Sequence, residues 1–346
     1  MPWRSNSALR KADKAKNDEF YTQLWDIEKE LKHYRNHFKW KIVYCNCDDP
    51  FESNFFKYFA INFNFLNLKK LVVTSYSSSP IAHTQLNVFW NKRSYKIEIN
   101  EVYDVNGDWA EDLADVKYLL ESGKWKNKVS FLEWDWDFRS EECINILKKV
   151  DIVCTNPPFS LFREYVKQLI EYNKKFLIIW NQNAVSYKEV FPYIKDNKIW
   201  RGLTMNWSNR YFLVPDDYPL TEKTWKIING KKYAYVKWVR WYTNLETNRR
   251  NELMILYKEF NDKDYPKFDN YDAINVNRVN DIPKDYGWLM GVPITFLDKY
   301  NPNQFEIIDE IWRYSMLTWP TEETKWKYLS QVWWKPVFAR MIIRKK

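Results

Sequence analysis

Glycine is nearly missing from this chain. Six glycines stand among 346 residues, where ordinary usage of about 7% would place roughly 24. Cysteine is scarce as well. Cys45, Cys47, Cys143 and Cys154 lack the paired C-x-x-C spacing of a zinc site, and four thiols cannot staple a chain of this length. They read as buried, reduced thiols. Long apolar runs are absent too: no stretch approaches the about 18 residues of a membrane helix, and Met1 to Phe20 are polar and lysine-rich without the apolar centre of a secretion signal. A cytoplasmic address without a membrane partner is therefore expected. Neither G-x-x-x-x-G-K-[ST] nor G-x-G-x-x-G occurs, even with glycine written at every tryptophan, which argues against ATP-driven and nicotinamide chemistry. His33 and His37 fall four apart on a predicted helix, yet no metal site is expected.

Tryptophan fills the gap that glycine leaves. Its count is 20, and the two counts together reach roughly the glycine number expected. Many tryptophans also stand where chain geometry asks for glycine: Asp108-Trp109, Asn206-Trp207 and Glu133-Trp134-Asp135-Trp136-Asp137 look like the turn signals Asp-Gly, Asn-Gly and Gly-Asp-Gly. Such turns need φ > 0, which a Cβ-bearing indole resists. The pattern suggests UGA codons that mean glycine in the source organism and were translated here as tryptophan.

Lys and Arg number 54 against 45 Asp and Glu, a formal net charge of +9. A surplus of this sign suits a polyanionic partner, because phosphate contacts release counterions. Solubility alone would also explain it, so the charge needs a site to give it meaning. Basic residues gather at Lys11 to Lys16, at Arg240 to Arg250 and in Arg344-Lys345-Lys346.

Periodicity predicts an α/β fold. Asn17 to Phe38 reads as an amphipathic helix, with Leu24, Ile27, Leu31 and Tyr34 on one side. Strand Lys41 to Cys47, helix Asn54 to Phe63 and strand Leu71 to Tyr76 form the strand, helix, strand unit of a parallel sheet. Tyr95 to Val105 resembles a hairpin strand and Val129 to Leu132 another short strand. Ser140 to Lys149 is a helix with Ser140 as N-cap and Cys143 at N3. Val150 to Thr155 is a strand and Ser160 to Tyr172 a helix, with strand Lys175 to Ile179 after it. Val239 to Leu245 and Glu252 to Tyr257 read as a hairpin at the antiparallel edge of a mixed sheet. The texture changes after Phe260, which sets a domain of residues 1–260 before a smaller, mostly β segment of residues 261–346.

Asn156-Pro157-Pro158-Phe159 is the most informative tetrapeptide. It stands at the carboxyl end of an apolar strand, where open α/β sheets bind ligands. Two prolines make a rigid turn without competing N–H groups, so the Asn156 side-chain oxygen and the Pro157 carbonyl can accept from one outside donor, such as an exocyclic amine. Drawing on that amine localises its lone pair for in-line attack on a methyl sulfonium, while Phe159 stacks on the base. Neither a metal nor a general base is required.

The tetrapeptide resembles motif IV of amino-methyltransferases that use S-adenosylmethionine and act on adenine N6, cytosine N4 or protein glutamine. Asp18-Glu19-Phe20-Tyr21-Thr22-Gln23 resembles the Phe-Tyr-Thr motif of the γ-class order. Asp49-Pro50-Phe51-Glu52-Ser53-Asn54-Phe55 matches the cofactor loop Asp-Pro-Phe-x-Gly-x-Gly in its first three positions, with Ser53 and Phe55 in place of the glycines. Asp137-Phe138 resembles the motif whose carboxylate accepts the cofactor's adenine amine. With Tyr44 to Pro50, Ser53 to Tyr58, Asp137 to Val166, Asn181 to Ala184, Asn206 to Phe212, Arg240 to Leu245 and Met290 to Tyr300, most of the chain resembles the EcoRI-type adenine-specific modification methylase family.

That resemblance implies a Rossmann-like S-adenosylmethionine-dependent methyltransferase with a C-terminal target-recognition segment. It implies methyl transfer to a flipped adenine in double-stranded DNA, and a restriction-modification setting with a cognate endonuclease. It makes Asn156, Pro157, Pro158 and Phe159 catalytic. Phe20, Tyr21, Thr22, Cys47, Asp49, Pro50, Phe51, Asp137 and Phe138 become cofactor-binding, with Arg240, Arg249 and Arg250 on DNA. Tyr211 or Phe212 is a candidate for the second face of an aromatic sandwich. Trp40, Trp134, Trp136, Trp180, Trp207 and Trp238 become expected glycines, and an indole at Trp136 or Trp180 would fill the cofactor pocket. Alternatives left open are a cytosine-N4 or RNA amino-methyltransferase, and a non-catalytic DNA-binding protein should those tryptophans be native.

Overall fold

The computed structural model describes residues 22–47, 53–75, 94–109, 111–121, 128–132, 137–157, 161–204, 210–213, 225–228, 230–236, 239–269, 271–311, 331–333, 335–337 and 339–346. The chain divides into two units, residues 1–182 with 202–245, and residues 183–201 with 246–346.

Helix α1 (Leu24–Leu31) is the first element of the first unit among the described residues, and the start of the predicted helix, Asn17 to Tyr21, lies outside them. The turns of residues 32–38 continue its apolar face, so Ile27, Leu31, Tyr34 and Phe38 are all buried. Then β1 (Ile42–Cys45), α2 (Asn54–Ile61) and β2 (Lys70–Ser75) form the expected strand, helix, strand unit, with β1 and β2 parallel. Ser53 caps α2 by accepting from the N–H groups of Phe55 and Phe56, an arrangement worth about 1 kcal/mol. Three further strands and two helices follow: β3 (Tyr95–Ile99), α3 (Leu113–Glu121), β4 (Lys128–Phe131), α4 (Glu141–Lys149) and β5 (Ile152–Thr155). The cap on α4 is the predicted one, Ser140 Oγ accepting from Cys143 N at 3.3 Å.

Helix α5 (Phe162–Glu171) and β6 (Lys175–Asn181) complete the alternation. After them come β7 (Arg210–Leu213), β8 (Trp225–Ile228), β9 (Lys231–Val236) and β10 (Val239–Thr243). In the main sheet of this unit the strands run β4-β3-β2-β1-β5-β6-β10. The inner strands β2, β1, β5 and β6 are parallel, while β3, β4 and β10 are antiparallel additions. Continuous apolar runs such as Phe176 to Ile179 have no exposure, as a sheet covered on both faces requires. Asp151 fastens β5 to β1 where they start, accepting from Ile42 N at 2.8 Å while its own N–H donates to Ile42 O at 3.0 Å. Strands β7, β9 and β8 form a separate antiparallel sheet. All four cysteines are free and buried.

Two expectations are corrected here. The strand from Tyr95 stops at Ile99, because Asp104 pulls the chain into a tight loop by accepting from the N–H groups of Gly107 and Trp109 at 2.7 and 2.8 Å. The predicted hairpin of Val239 to Leu245 with Glu252 to Tyr257 does not form. Strand β10 pairs with β6, and 252–257 is not a strand. The main chain of Met254 is satisfied by a side chain: its N–H donates to Gln304 Oε1, and its carbonyl accepts from Gln304 Nε2, both at 2.8 Å.

In the second unit, α6 (Phe191–Lys195) precedes β11 (Ile274–Asn275), β12 (Met290–Pro293) and β13 (Phe305–Ile311). A small hairpin, β14 (Gln331–Val332) and β15 (Lys335–Pro336), leads to β16 (Arg340–Lys345). The sheet order is β11-β12-β16-β13. Its core contains Met290, Val292, Phe305, Ile307, Ile342 and Ile343. Among the described residues no helix is long and apolar enough to cross a membrane.

Strand β13 bulges between Ile307 and Asp309 and buries two consecutive carboxyl groups, Asp309 and Glu310. Burial, reinforced by the Asp309 charge, pushes Glu310 up to about 8 from the ordinary 4.5. Below the lower value both folded and unfolded chains hold the proton. Between the two values only the folded chain keeps it, so stability falls as pH rises, by up to about 1.4 kcal/mol per pH unit. Urea unfolding midpoints are expected to fall from about pH 5 to about pH 8, with Glu310→Gln flattening that slope; equal slopes for the two proteins would refute the assignment.

Candidate active site

The parallel register Val43↔Ile152 and Tyr44↔Val153 makes β1 and β5 leave the sheet side by side. Asn46-Cys47 and Thr155-Asn156 are thereby brought together. Thr155 Oγ1 donates to the Asn46 carbonyl, and the Asn46 side-chain oxygen accepts from the hydroxyl of Tyr165. All three residues are buried, Thr155 and Tyr165 with no exposure at all. Cys47 has φ 69°, a left-handed kink that turns the chain out of β1 toward residues 48–52.

Tyr165 belongs to α5, and the same helix holds a third loop. Its ring meets Phe138 edge to face at 5.0 Å, and Gln168 Nε2 donates to the Phe138 carbonyl at 3.0 Å. Asp137 lies beside it, partly exposed. Its carboxylate accepts from Arg139 Nε at 2.9 and 3.1 Å, from Nη2 at 2.6 Å and from the Arg139 main-chain N–H at 2.9 Å. Glu164 of α5 takes the remaining Arg139 nitrogen at 2.8 Å. Hydrogen bonding from the Arg139 guanidinium holds the Asp137 carboxyl below the usual carboxylate range, so at neutral pH it is an acceptor only. One face of one helix thus ties the end of β1, and through Asn46 the end of β5, to the loop before α4.

Thr22 joins the same neighbourhood from the N-terminal side. Its carbonyl accepts from Asn54 Nδ2 at 2.7 Å, which sets it against the first turn of α2. Its hydroxyl is buried and has no hydrogen-bond partner among the described residues. A buried, unsatisfied hydroxyl costs about 1–3 kcal/mol, so this group is suited to a polar partner. Asn156 is 7% exposed at the carboxyl end of β5. The Cys154 thiol, two residues before it, is pushed far above its ordinary range by burial and is neutral, neither nucleophile nor base.

Trp180 ends the apolar run of β6, 4% exposed, and its indole stacks on Phe162 with centroids 4.4 Å apart and planes within 1°. Arg240 is its register partner on β10 and is buried in the sheet. In the second unit Arg249 is exposed. Arg250 lies 3.6 Å over the Trp200 ring, donates to Glu246 at 2.6 Å and to Asn197 at 3.1 Å, and is driven below its ordinary range by desolvation. Tyr211 and Phe212 lie on β7, paired with Tyr235 and Ala234.

Of the predicted site residues, Thr22, Cys47, Asp137, Phe138, Asn156 and Pro157 are among those described. Phe20, Tyr21, Asp49, Pro50, Phe51, Pro158 and Phe159 lie outside the described residues, as do Trp134, Trp136, Trp207 and Trp238. Sequence reasoning missed Asn46 and Tyr165. The available signal was chemical: a tyrosine on the apolar side of a helix must find a partner for its hydroxyl once buried, and an asparagine closing an apolar strand is a ready acceptor.

Residues 8–346 match the family model described as adenine-specific methyltransferase EcoRI. Among curated proteins, the Type II methyltransferase M.EcoRI of Escherichia coli is 48% identical, over 88% of this chain and 89% of that protein. The Type II methyltransferases M.MgeORF184P of Mycoplasma genitalium and M.MpnI of Mycoplasma pneumoniae are 40% and 38% identical, each over 87% of this chain and 85% of its own length. No solved structure was found to match. With the match spanning both units, and with a strand-end asparagine and a carboxylate loop fastened to one helix, this chain belongs to the EcoRI family of adenine-specific DNA methyltransferases.

Proposed function

We propose that this methyltransferase takes its methyl group from S-adenosylmethionine, draws one adenine out of a DNA duplex and methylates N6, as the protective half of a restriction-modification pair with a cognate endonuclease. The carrying observation is the attachment of Asn46 and of the Asp137 loop to α5, with the strand that ends at Asn156 joined to Asn46 through Thr155. The buried Thr22 hydroxyl without a partner among the described residues supports a polar cofactor beside α2. Phe20, Tyr21, Thr22, Cys47, Asp49, Pro50 and Phe51 would hold the methionine end, and Asp137 with Phe138 the adenine end. S-adenosylmethionine supplies, when bound, a methyl group activated by a sulfonium charge.

The chain's own work is then positional. Asn156 Oδ1 and the Pro157 carbonyl accept from the adenine amine, Pro158 keeps the turn rigid, and Phe159 stacks on the extruded base. Both acceptors are neutral, so they sharpen the amine's lone pair without stripping its proton first. The Rossmann-like reading of the main sheet goes with this assignment, residues 1–260 being catalytic and 261–346 reading the target. Of the three arginines, Arg249 has the exposure that a phosphate contact needs, whereas Arg240 and Arg250 reach DNA only if their packing opens.

Transfer from labelled S-adenosylmethionine to unmethylated duplex DNA, with nucleoside analysis, tests the reading. The assay is run on the chain as it stands and on Trp180→Gly, because the indole occupies the carboxyl end of β6. N6-methyladenine is the expected product, and Asn156→Ala is expected to lower kcat by about 100-fold or more, on the scale of losing a transition-state hydrogen bond. A different methylated base, or transfer to RNA alone, would overturn the proposal.

Tyr165→Phe leaves the Asn46 side-chain oxygen buried without its donor, at a cost of about 1–3 kcal/mol. If Tyr165 positions the site, kcat falls roughly 10-fold with a smaller change in KM; lost stability at full kcat would leave it a purely structural role. Arg249→Ala is expected to reduce the slope of log affinity against log salt by about 1, and an unchanged slope removes it from the interface.

A further inference from the structure

Among the described residues, seven other than glycine have positive φ, and three are tryptophans: Trp40 at 60°, Trp109 at 68° and Trp333 at 54°. Three others are Asn67, Asn173 and Asn197, and asparagine is the side chain that best tolerates this region. For a bulky residue it is an outlier, and each indole here lies in a setting that calls for glycine.

Lys39 has φ −57° and ψ 120°, Trp40 follows at φ 60°, and Lys41 N donates to Phe38 O at 3.0 Å. This is a type II turn with tryptophan at its third position, where φ > 0 is obligatory and glycine is the usual occupant. Trp333 is the first of two residues linking β14 to β15, whose pairs Val332↔Lys335 and Gln331↔Pro336 close a two-residue hairpin. Such loops take Asn-Gly, Asp-Gly or Gly-Gly, and this one reads Trp333-Trp334. Trp109 follows Asp108 in the loop that Asp104 organises, two residues after Gly107, itself at φ 78°.

Burial does not repay the strain. The three tryptophans are 67%, 97% and 74% exposed, so their apolar surface stays in water. Trp241 makes the contrast: it sits in β10, fully buried, with its ring edge to face with Phe55 at 5.9 Å. Its size is used. Two kinds of tryptophan therefore coexist in one chain, one exposed at positive φ and the other packed in the core.

We infer that the native protein carries glycine at positions 40, 109 and 333, specified by a codon that was read as tryptophan in this sequence, and tryptophan at position 241. The inference is independent of the proposed function.

Tandem mass spectrometry of the enzyme isolated from its own cells tests it. Peptides spanning positions 40, 109 and 333 are expected to show a glycine residue mass, and the peptide spanning 241 a tryptophan. Tryptophan at all three turn positions overturns the inference, as does glycine at 241, which would erase the distinction between the two populations. A second measurement addresses the backbone argument. The recombinant triple variant Trp40→Gly, Trp109→Gly, Trp333→Gly is expected to melt roughly 3–6 °C higher than the chain with tryptophan, whereas Trp241→Gly melts lower. A triple variant that melts no higher overturns the claim of strain.

Discussion

The buried amide of Asn46 is the constraint on which the site depends. It lies where two parallel strands end, a point at which main-chain groups lose their ladder partners and water is excluded. Each polar atom there must be answered by a neighbour. Thr155 answers the Asn46 carbonyl and Tyr165 answers its side chain. The first bond fixes the strand preceding Asn156 against the end of β1, and the second comes from a helix that also carries Gln168 and Glu164. Helix α5 therefore acts as a common strut, and its own position is set by an apolar face made of Phe162, Tyr165, Val166 and Leu169.

Charge enters the arrangement at its rim rather than its centre. Asp137, Arg139 and Glu164 form a partly exposed triad whose value to stability is small in high dielectric, but which keeps one carboxylate ionised and oriented. Inside, the groups next to Asn156 are neutral: amide, hydroxyl, carbonyl and protonated thiol. On the proposed mechanism, a site that presents acceptors to a neutral amine has no use for a buried ion, whose desolvation would cost several kcal/mol.

Local chemistry was legible in the sequence wherever it was self-contained. The Ser140 cap, the β1, α2, β2 unit and the strand before Asn156 follow from side-chain periodicity and from residues within four positions of one another. Elements that depend on distant partners were not legible. Glu252 to Tyr257 has the composition of a strand, yet the side-chain amides of Asn301 and Gln304, 49 and 50 residues away, bond the main chain of Glu252 and Met254. Tyr165 carries the same apolar spacing as Leu169, and only the fold reveals that its hydroxyl meets Asn46, 119 positions earlier. Arg240 sits in a basic cluster and reads as surface, but its strand pairs with β6 and is buried along its whole length, which places it beside Trp180.

The handedness of a turn is a property of L-amino-acid chirality and owes nothing to the genetic code. A left-handed residue in water with a large side chain therefore sets the residue that is written against the residue that the turn favours. Trp40, with its turn closed by a hydrogen bond, is such a case. Backbone geometry can in this way audit a translation table, position by position, wherever one codon has been given another meaning.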